Sequence, residues 1–248
     1  MPDLSLLEPL AKALGGEVVS ADSMQIYRRM DIGTAKPTAE EMDGIPHHMI
    51  DVADPGEDFS AARYVEMASA CVDEILARGK LPIVAGGTGL YIDSLLSGRT
   101  FAAFSPDSPL RGELEAELAR LGGAAMLAQL AQVDPETAAR LHPNDHKRIV
   151  RALEVFRSTG RTISQHDRET RALPPRYDAL TIGLTFRERA DLWARIDQRV
   201  DQMARDGLEA EVRGLLSSGL PRTCTAMQAI GYKEFVAAVD GQISWREA

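Results

Sequence analysis

Leu81-Pro82-Ile83-Val84-Ala85-Gly86-Gly87-Thr88-Gly89 is a short apolar run that passes without a break into a glycine-rich turn. A run of that length bounded by turn residues reads as a buried strand. Before it, Ala62, Val65, Ala68, Val72, Ile75 and Leu76 recur at helical spacing between Ser60 and Arg78, and Gly79 ends the pattern. Further upstream, Leu6, Leu7, Leu10, Ala11 and Leu14 mark a helix over 6–14. Gly15-Gly16 stops it, and Glu17-Val18-Val19-Ser20 is a second short strand. This alternation of helices and strands, with a glycine turn after the strand at 81–85, is the pattern of an α/β fold, a parallel sheet with helices packed on it.

Downstream the pattern changes. A loop rich in turn residues runs from the first strand to about Pro55, and from about Pro106 to Thr170 the periodicity is helical with no convincing strand. Ala179-Leu180-Thr181-Ile182-Gly183-Leu184 predicts a strand that rejoins the sheet. A long helix follows from about Glu188 to Arg205, with Leu192, Ile196, Val200 and Met203 as its buried stripe. The organisation expected is an α/β core, 1–105 and 172–248, interrupted by a helical insertion, 106–171.

The chain of 248 residues holds only Cys71 and Cys224, far apart and without ligand spacing, so both are expected as reduced thiols of a cytoplasmic protein. A chain of this size buries roughly 70–75% of the surface its unfolded form exposes and needs no crosslinks. Asp3 and Glu8 near the start argue against a signal peptide. Leu81 to Ile92, among the longest charge-free runs, is about a dozen residues, short of the ~20 of a membrane span, so no membrane partner is expected. A net charge of −9 argues against a protein that binds nucleic acid by a general positive field. One segment runs the other way: 142–171 gathers seven Lys and Arg against four acids, with three of the five histidines.

Four stretches could carry chemistry. Asp22, in Ser20-Ala21-Asp22-Ser23-Met24-Gln25-Ile26-Tyr27, follows a strand, where ligands of open α/β sheets bind; it can serve as a proton acceptor or simply cap the next turn. Gly86-Gly87-Thr88-Gly89 lets backbone N–H groups approach an anion and adds the Thr88 hydroxyl, although a structural turn explains it as well. It fits neither the Walker A spacing nor GxGxxG. Arg195 and Arg199 lie one helical turn apart and could clamp a diphosphate, or face solvent beside Asp191 and Asp197. His142 to Arg151 opens a helix with Lys147, Arg148 and Arg151, cations suited to RNA phosphates. Its histidines lack the usual metal-ligand spacing, and His47-His48 on an extended segment point apart.

Taken in order, these motifs resemble a known family. Glu17 to Tyr27, Met30-Asp-Ile-Gly-Thr-Ala-Lys-Pro37, Pro46-His-His-Met-Ile-Asp51, Gly86-Gly-Thr-Gly-Leu-Tyr91, His142-Pro-Asn-Asp145, Arg151-Ala-Leu-Glu-Val155 and Gly231-Tyr-Lys233 are similar to the bacterial tRNA dimethylallyltransferases over nearly the whole chain. The resemblance implies a P-loop-NTPase-like parallel sheet with a helical insertion. It implies transfer of a dimethylallyl group from dimethylallyl diphosphate to the N6 amine of the tRNA adenosine 3′ of the anticodon, flipped into the site. It implies that Asp22 accepts the amine proton, that Thr88 lines the site, and that Arg199, with Arg195, holds the diphosphate. Contacts to tRNA fall to Asp22, Ser23, Met24, Gln25, Thr88, Arg111, Lys147, Arg148, Ile149, Val150, Arg151, Gln228, Ala229, Ile230, Gly231, Tyr232 and Lys233. Mg²⁺ is the implied cofactor, and a monomer is expected.

The sequence departs from the family in two places. A phosphate-binding loop is expected ahead of the first helix, where Met1-Pro2-Asp3-Leu4 stands, and a tRNA-contacting segment is expected beyond Trp245. Three rival readings remain: an adenylate isopentenyltransferase acting on free AMP, ADP or ATP, a P-loop kinase or NTPase, and a catalytically dead RNA-binding module. The basic insertion favours tRNA over a free nucleotide.

Overall fold

Gly15, at φ +61°, ends helix α1 (Leu7–Leu14), and Gly16 opens strand β1 (Gly16–Ser20) directly behind it. The computed structural model describes residues 6–98, 109–245 and 247. After β1 come the two-residue strand β2 (His47–His48), α2 (Ala61–Ala77), β3 (Leu81–Ala85) and α3 (Gly89–Ser97). Then follow α4 (Pro109–Leu121), α5 (Gly123–Val133), α6 (Pro135–Ala138), α7 (His146–Thr159) and α8 (Ile163–Arg171). Helices α9 (Arg189–Asp206) and α10 (Leu208–Ser217), a short 3-10 helix (Ala226–Gln228) and α11 (Tyr232–Val239) complete the chain. It divides into two compact units, 1–95 with 179–248, and 96–178; the division falls near the end of α3. Met1–Leu4, the position compared with a phosphate loop, lies outside the described residues, as does the 105/106 boundary expected from sequence.

In the first unit the sheet is parallel, in the order β2-β1-β3, which is the α/β class expected. β1 is central and all five of its residues are buried. Val18 is in register with His47 on one side and Ile83 on the other. The strands approach so closely at Gly16 that a Cβ there would lie 2.7 Å from the Leu81 carbonyl oxygen. Helix α2 starts where Ser60 accepts the Arg63 N–H at 3.2 Å, a side-chain N-cap. It buries Tyr64, Ala68, Ser69, Val72 and Ile75. The Tyr64 ring stacks on Tyr91 of α3 with centroids 4.0 Å apart, and its hydroxyl donates to the Ser20 carbonyl at 3.1 Å.

Two expectations fail in this unit. Residues 179–184 form no strand; Leu180 is 89% exposed, Ile182 69% and Leu184 55%. An apolar alternation becomes a strand only when a neighbouring backbone takes its N–H and C=O groups, and none of the described strands pairs with this segment. Nor is the apolar stripe of α9 buried: Leu192 and Met203 are half-buried, while Ile196 and Val200 are exposed. Helical spacing identifies the face but cannot supply the surface that covers it.

Among its described residues the second unit has helices and no strand, as its periodicity implies. Leu114 of α4, Met126 and Leu130 of α5, and Ile149, Val150, Ala152 and Leu153 of α7 form its core. Asp134 joins two helix starts: Oδ1 accepts from Thr137 N–H at 3.0 Å and Oδ2 from Ser164 N–H at 3.1 Å. Burial pushes this carboxyl up, but hydrogen bonds from Thr137 and Ser164 outweigh it and hold it below its ordinary range.

Glu17 is the one acid built into β1. Its carboxylate accepts from Lys80 Nζ at 2.8 Å, from Arg78 at 2.7 Å, and lies 2.7 Å from His48 Nε2. The Lys80 hydrogen bond, opposed by burial and aided by His48 and Arg78, lowers it from 4.5 to about 2. A carboxyl lowered on folding stabilises the fold above its unfolded value and loses that contribution as the pH falls through the folded value. Glu17→Gln should therefore cost about 1.5–3 kcal/mol at neutral pH, the usual range for hydrogen bonds to charged groups. Thermal unfolding of both proteins should show a constant gap at neutral pH that closes between pH 4.5 and about 2. A gap that does not change with pH would contradict this role.

Candidate active site

The parallel pairing of β1 and β3 places their C-terminal ends side by side. Ala21 N–H donates to the Ala85 carbonyl at 2.8 Å, and Thr88 N–H returns a bond to the Ala21 carbonyl at 3.1 Å. A Cβ on Gly86 would meet the Ala21 carbonyl group at 2.4 Å, so this crossing requires glycine. The glycine turn read from sequence is thus a close approach of two backbones.

Asp22 follows at the end of β1 and is half-buried. Its Oδ1 accepts from Met24 N–H at 2.8 Å and from Gln25 N–H at 3.3 Å, the Asx geometry that caps a turn. No hydrogen bond to Oδ2 is found among the described residues, so one oxygen holds the turn and the other is open to a ligand. The Thr88 hydroxyl accepts from Ser23 N–H at 3.0 Å, which leaves its own proton to donate. Gln25 is fixed at both ends: Oε1 accepts from the Ser20 hydroxyl at 3.0 Å, and Nε2 donates to the carbonyls of Thr34 and Ala35 at 3.3 and 3.1 Å. Asp22 and Gln25 border a cleft of about 570 Å³, whose lining also includes Ser20, Ala35, His47 and Gly86. That volume suits a small-molecule site.

Two further groups feel the Asp22 charge. Burial raises the Tyr91 phenol to about 12, and Asp22 adds to the rise. Burial lowers the Arg199 guanidinium from its ordinary value, and Asp22 partly restores it. The structure therefore ties the Asp22 turn to Thr88 through the Ser23 N–H and places Arg199 within the influence of the Asp22 charge. Arg199 is half-buried and Arg195 exposed, which separates two arginines that spacing alone made equivalent.

Other residues singled out from sequence sort by burial. Ile149 and Val150 are core residues of the helical unit, and Ala229 and Tyr232 are buried, so their side chains are not available to an RNA. Periodicity on α7 could have identified the first two as core. Lys147 and Arg148 are exposed, as are Gln228, Ile230 and Lys233; Ser23, Met24 and Gly231 are half-buried. Arg111 and Arg151, from different helices, both reach the buried Glu154, at 3.3 and 3.0 Å. In β2, His48 turns to Glu17, whereas His47 faces the cleft, with Nδ1 2.9 Å from the Ile45 carbonyl oxygen. Among the described residues no group of three His, Cys, Asp or Glu side chains is set to hold a metal ion. No helix of the described residues is long and apolar enough to cross a membrane.

Comparison with known proteins gives this geometry a family. The family model described as IPP transferase matches residues 25–248. The tRNA dimethylallyltransferase of Symbiobacterium thermophilum is 51% identical over 240 residues, covering 96% of this chain and 74% of that protein. That of Halalkalibacterium halodurans is 46% identical over 239 residues, covering 96% and 76%. The crystal structure of a full-length tRNA isopentenylpyrophosphate transferase from Bacillus halodurans superposes with a TM-score of 0.68 at 43% identity, over 99% of this chain and 77% of that one. A eukaryotic dimethylallyltransferase acting on tRNA gives a TM-score of 0.74 at 28% identity, over 96% and 60%. With the family model matched over residues 25–248 and these relatives covering 96% of it, the chain belongs to the IPP transferase family, that of the tRNA dimethylallyltransferases.

Proposed function

We propose that this chain transfers a dimethylallyl group from dimethylallyl diphosphate to the N6 amine of the adenosine 3′-adjacent to the anticodon in tRNA. The observation that carries the reading is that Asp22 and Thr88 are held together beyond the ends of the parallel strands, with the Arg199 guanidinium under the influence of the Asp22 charge. In this reaction the amine nitrogen attacks C1 of the prenyl group, the C1–O bond breaks, and the diphosphate leaves with the electron pair. The nitrogen must then lose a proton. Asp22 has an oxygen open for it, while its other oxygen stays tied to the turn. Arg199 supplies the positive charge that a departing diphosphate requires. The Thr88 hydroxyl holds the Asp22 turn at Ser23 and can donate to either substrate. An N6 amine stacked in an RNA loop cannot be attacked in line, so the base must be extruded into the site.

The helical unit supports tRNA as the acceptor over a free nucleotide, because exposed Lys147 and Arg148 sit beside Arg151 on one helix start. Mg²⁺ enters this reading only as the cation that accompanies a diphosphate, since it is commonly held by substrate phosphates with few protein ligands. The described side chains do not form a cage for it, and no step is assigned to it. A cytoplasmic monomer fits a tRNA-modifying enzyme with two cysteines and no disulfide.

Labelled dimethylallyl diphosphate offered with tRNA or with AMP tests the reading: label should enter tRNA, and label in AMP alone would overturn it. In that assay Asp22→Ala should lower kcat by roughly 10²–10⁴ with tRNA affinity nearly intact, as for loss of a general base. Single-turnover rates near wild type would remove Asp22 from the chemistry. Arg199→Ala should raise KM for the diphosphate substrate, and Arg199→Lys should suffer too, because a point charge cannot reproduce the guanidinium fork. An unchanged KM in both would return Arg199 to a structural role. Neutralising Lys147, Arg148 and Arg151 together should weaken tRNA binding and flatten its salt dependence, by about 0.7–0.9 in log–log slope per lost phosphate contact. Binding of dimethylallyl diphosphate should not change. Identical salt slopes would make these cations ordinary surface charge.

A further inference from the structure

Glu211, on α10, spends its carboxylate on groups distant in sequence. Oε2 accepts from the backbone N–H groups of Asp31 at 2.8 Å and Ile32 at 2.9 Å. Oε1 accepts from Gly33 N–H at 3.1 Å and from the Tyr232 hydroxyl. Three successive N–H groups converging on one anion form a concave seat of the kind that binds phosphates elsewhere. Here a side chain of the same fold fills it. Tyr232 is fully buried, and its ring lies where a Cβ on Gly33 would come within 2.4 Å of it. Burial, followed by the Glu211 hydrogen bond and charge, raises the Tyr232 phenol far above its ordinary value, so it stays a donor.

The seat belongs to a turn that reaches the cleft. Thr34 Oγ1 donates to the Met30 carbonyl at 2.6 Å, Lys36 N–H donates to the Asp31 carbonyl at 2.9 Å, and Ala35 is left-handed at φ +47°. The turn presents the Thr34 and Ala35 carbonyls to Gln25 Nε2, and Gln25 N–H in turn donates to Asp22 Oδ1. The geometry points to Glu211 as a positioning residue for the transfer: with Tyr232 it fixes the 30–36 turn, the turn fixes Gln25, and Gln25 fixes Asp22. The inference rests on Asp22 receiving the amine proton. Its weight follows from the narrow tolerance of a reacting geometry, where ~1 Å of misplacement can cost on the order of 10²-fold in rate.

The test uses Glu211→Gln and Tyr232→Phe, each alone and combined with Gln25→Ala, with circular dichroism to verify folding. Backbone hydrogen exchange is the first readout. Glu211→Gln should speed exchange at 31–33 and also, on the order of tenfold, at the Met24 and Gln25 amides that Asp22 holds. The second readout is turnover: kcat should fall roughly 10–10²-fold while KM for dimethylallyl diphosphate stays within about twofold. In the Gln25→Ala background the further loss should be under about threefold, because both changes break one chain of contacts. Exchange that rises only at 31–33, or losses in kcat that multiply, would overturn the inference. If Glu211→Gln fails to fold, Tyr232→Phe, which removes one donor and keeps the ring, carries the same measurements. A wild-type chain without transfer activity would count against the Asp22 reading, and the exchange pattern would still decide the positioning link.

Discussion

The hydrogen bond from Ala21 N–H to the Ala85 carbonyl, at 2.8 Å, is the last link between β1 and β3, and the candidate site hangs from it. Beyond it the strands part, one into the Asp22 turn and the other into the glycine turn that ends at Thr88. The two backbones remain close enough for Thr88 to bond both the Ala21 carbonyl and the Ser23 N–H. That closeness is possible only because residue 86 lacks a side chain. A parallel sheet gives such a place at low cost: its strands end together, and the groups beyond their carboxyl ends face a common opening.

Asp22 caps its turn with one oxygen, and the proposed chemistry draws on the other. A carboxylate has two oxygens and about four lone-pair directions. Oδ1 is spent on Met24 and Gln25, which locks the side-chain rotation, and a locked carboxylate meets an incoming amine without further ordering. The cap and the proton acceptor are therefore not competing readings. Around it, burial shifts the Arg199 and Tyr91 groups in opposite directions, since it disfavours whichever form is charged. The Asp22 charge opposes the shift of Arg199 and adds to that of Tyr91.

The helical unit is built on a different balance. Its core is aliphatic and its polar groups are paired at helix starts, by Asp134 and by the reciprocal bonds of Thr162 and Gln165. Glu154 is buried on the same helix that carries the basic residues, and it draws Arg111 and Arg151 toward one point. A buried acid that gathers two arginines reduces their net charge but fixes their positions. Lys147 and Arg148 keep their charge exposed to solvent. Such a surface suits a partner recognised by shape with local phosphate contacts, which agrees with an overall charge of −9.

By itself the sequence determined the local elements and the family. The strand at 81–85, the helices at α1, α2 and α9, and the helical character of 109–171 are periodicity and turn chemistry, which act over a few residues and are legible there. The motifs around Asp22 and Thr88 were legible as strand-end loops. Tertiary structure decided what each apolar face meets and which polar atoms find partners. It left Leu180, Ile182 and Leu184 unpaired and exposed, because pairing needs a second backbone that no local pattern specifies. It turned Ile149, Val150 and Tyr232 inward and separated Arg199 from Arg195 by burial. Glu211 gave no sequence signal at all: its backbone partners lie 178 to 180 residues away, and only the closed fold brings three backbone N–H groups to one carboxylate.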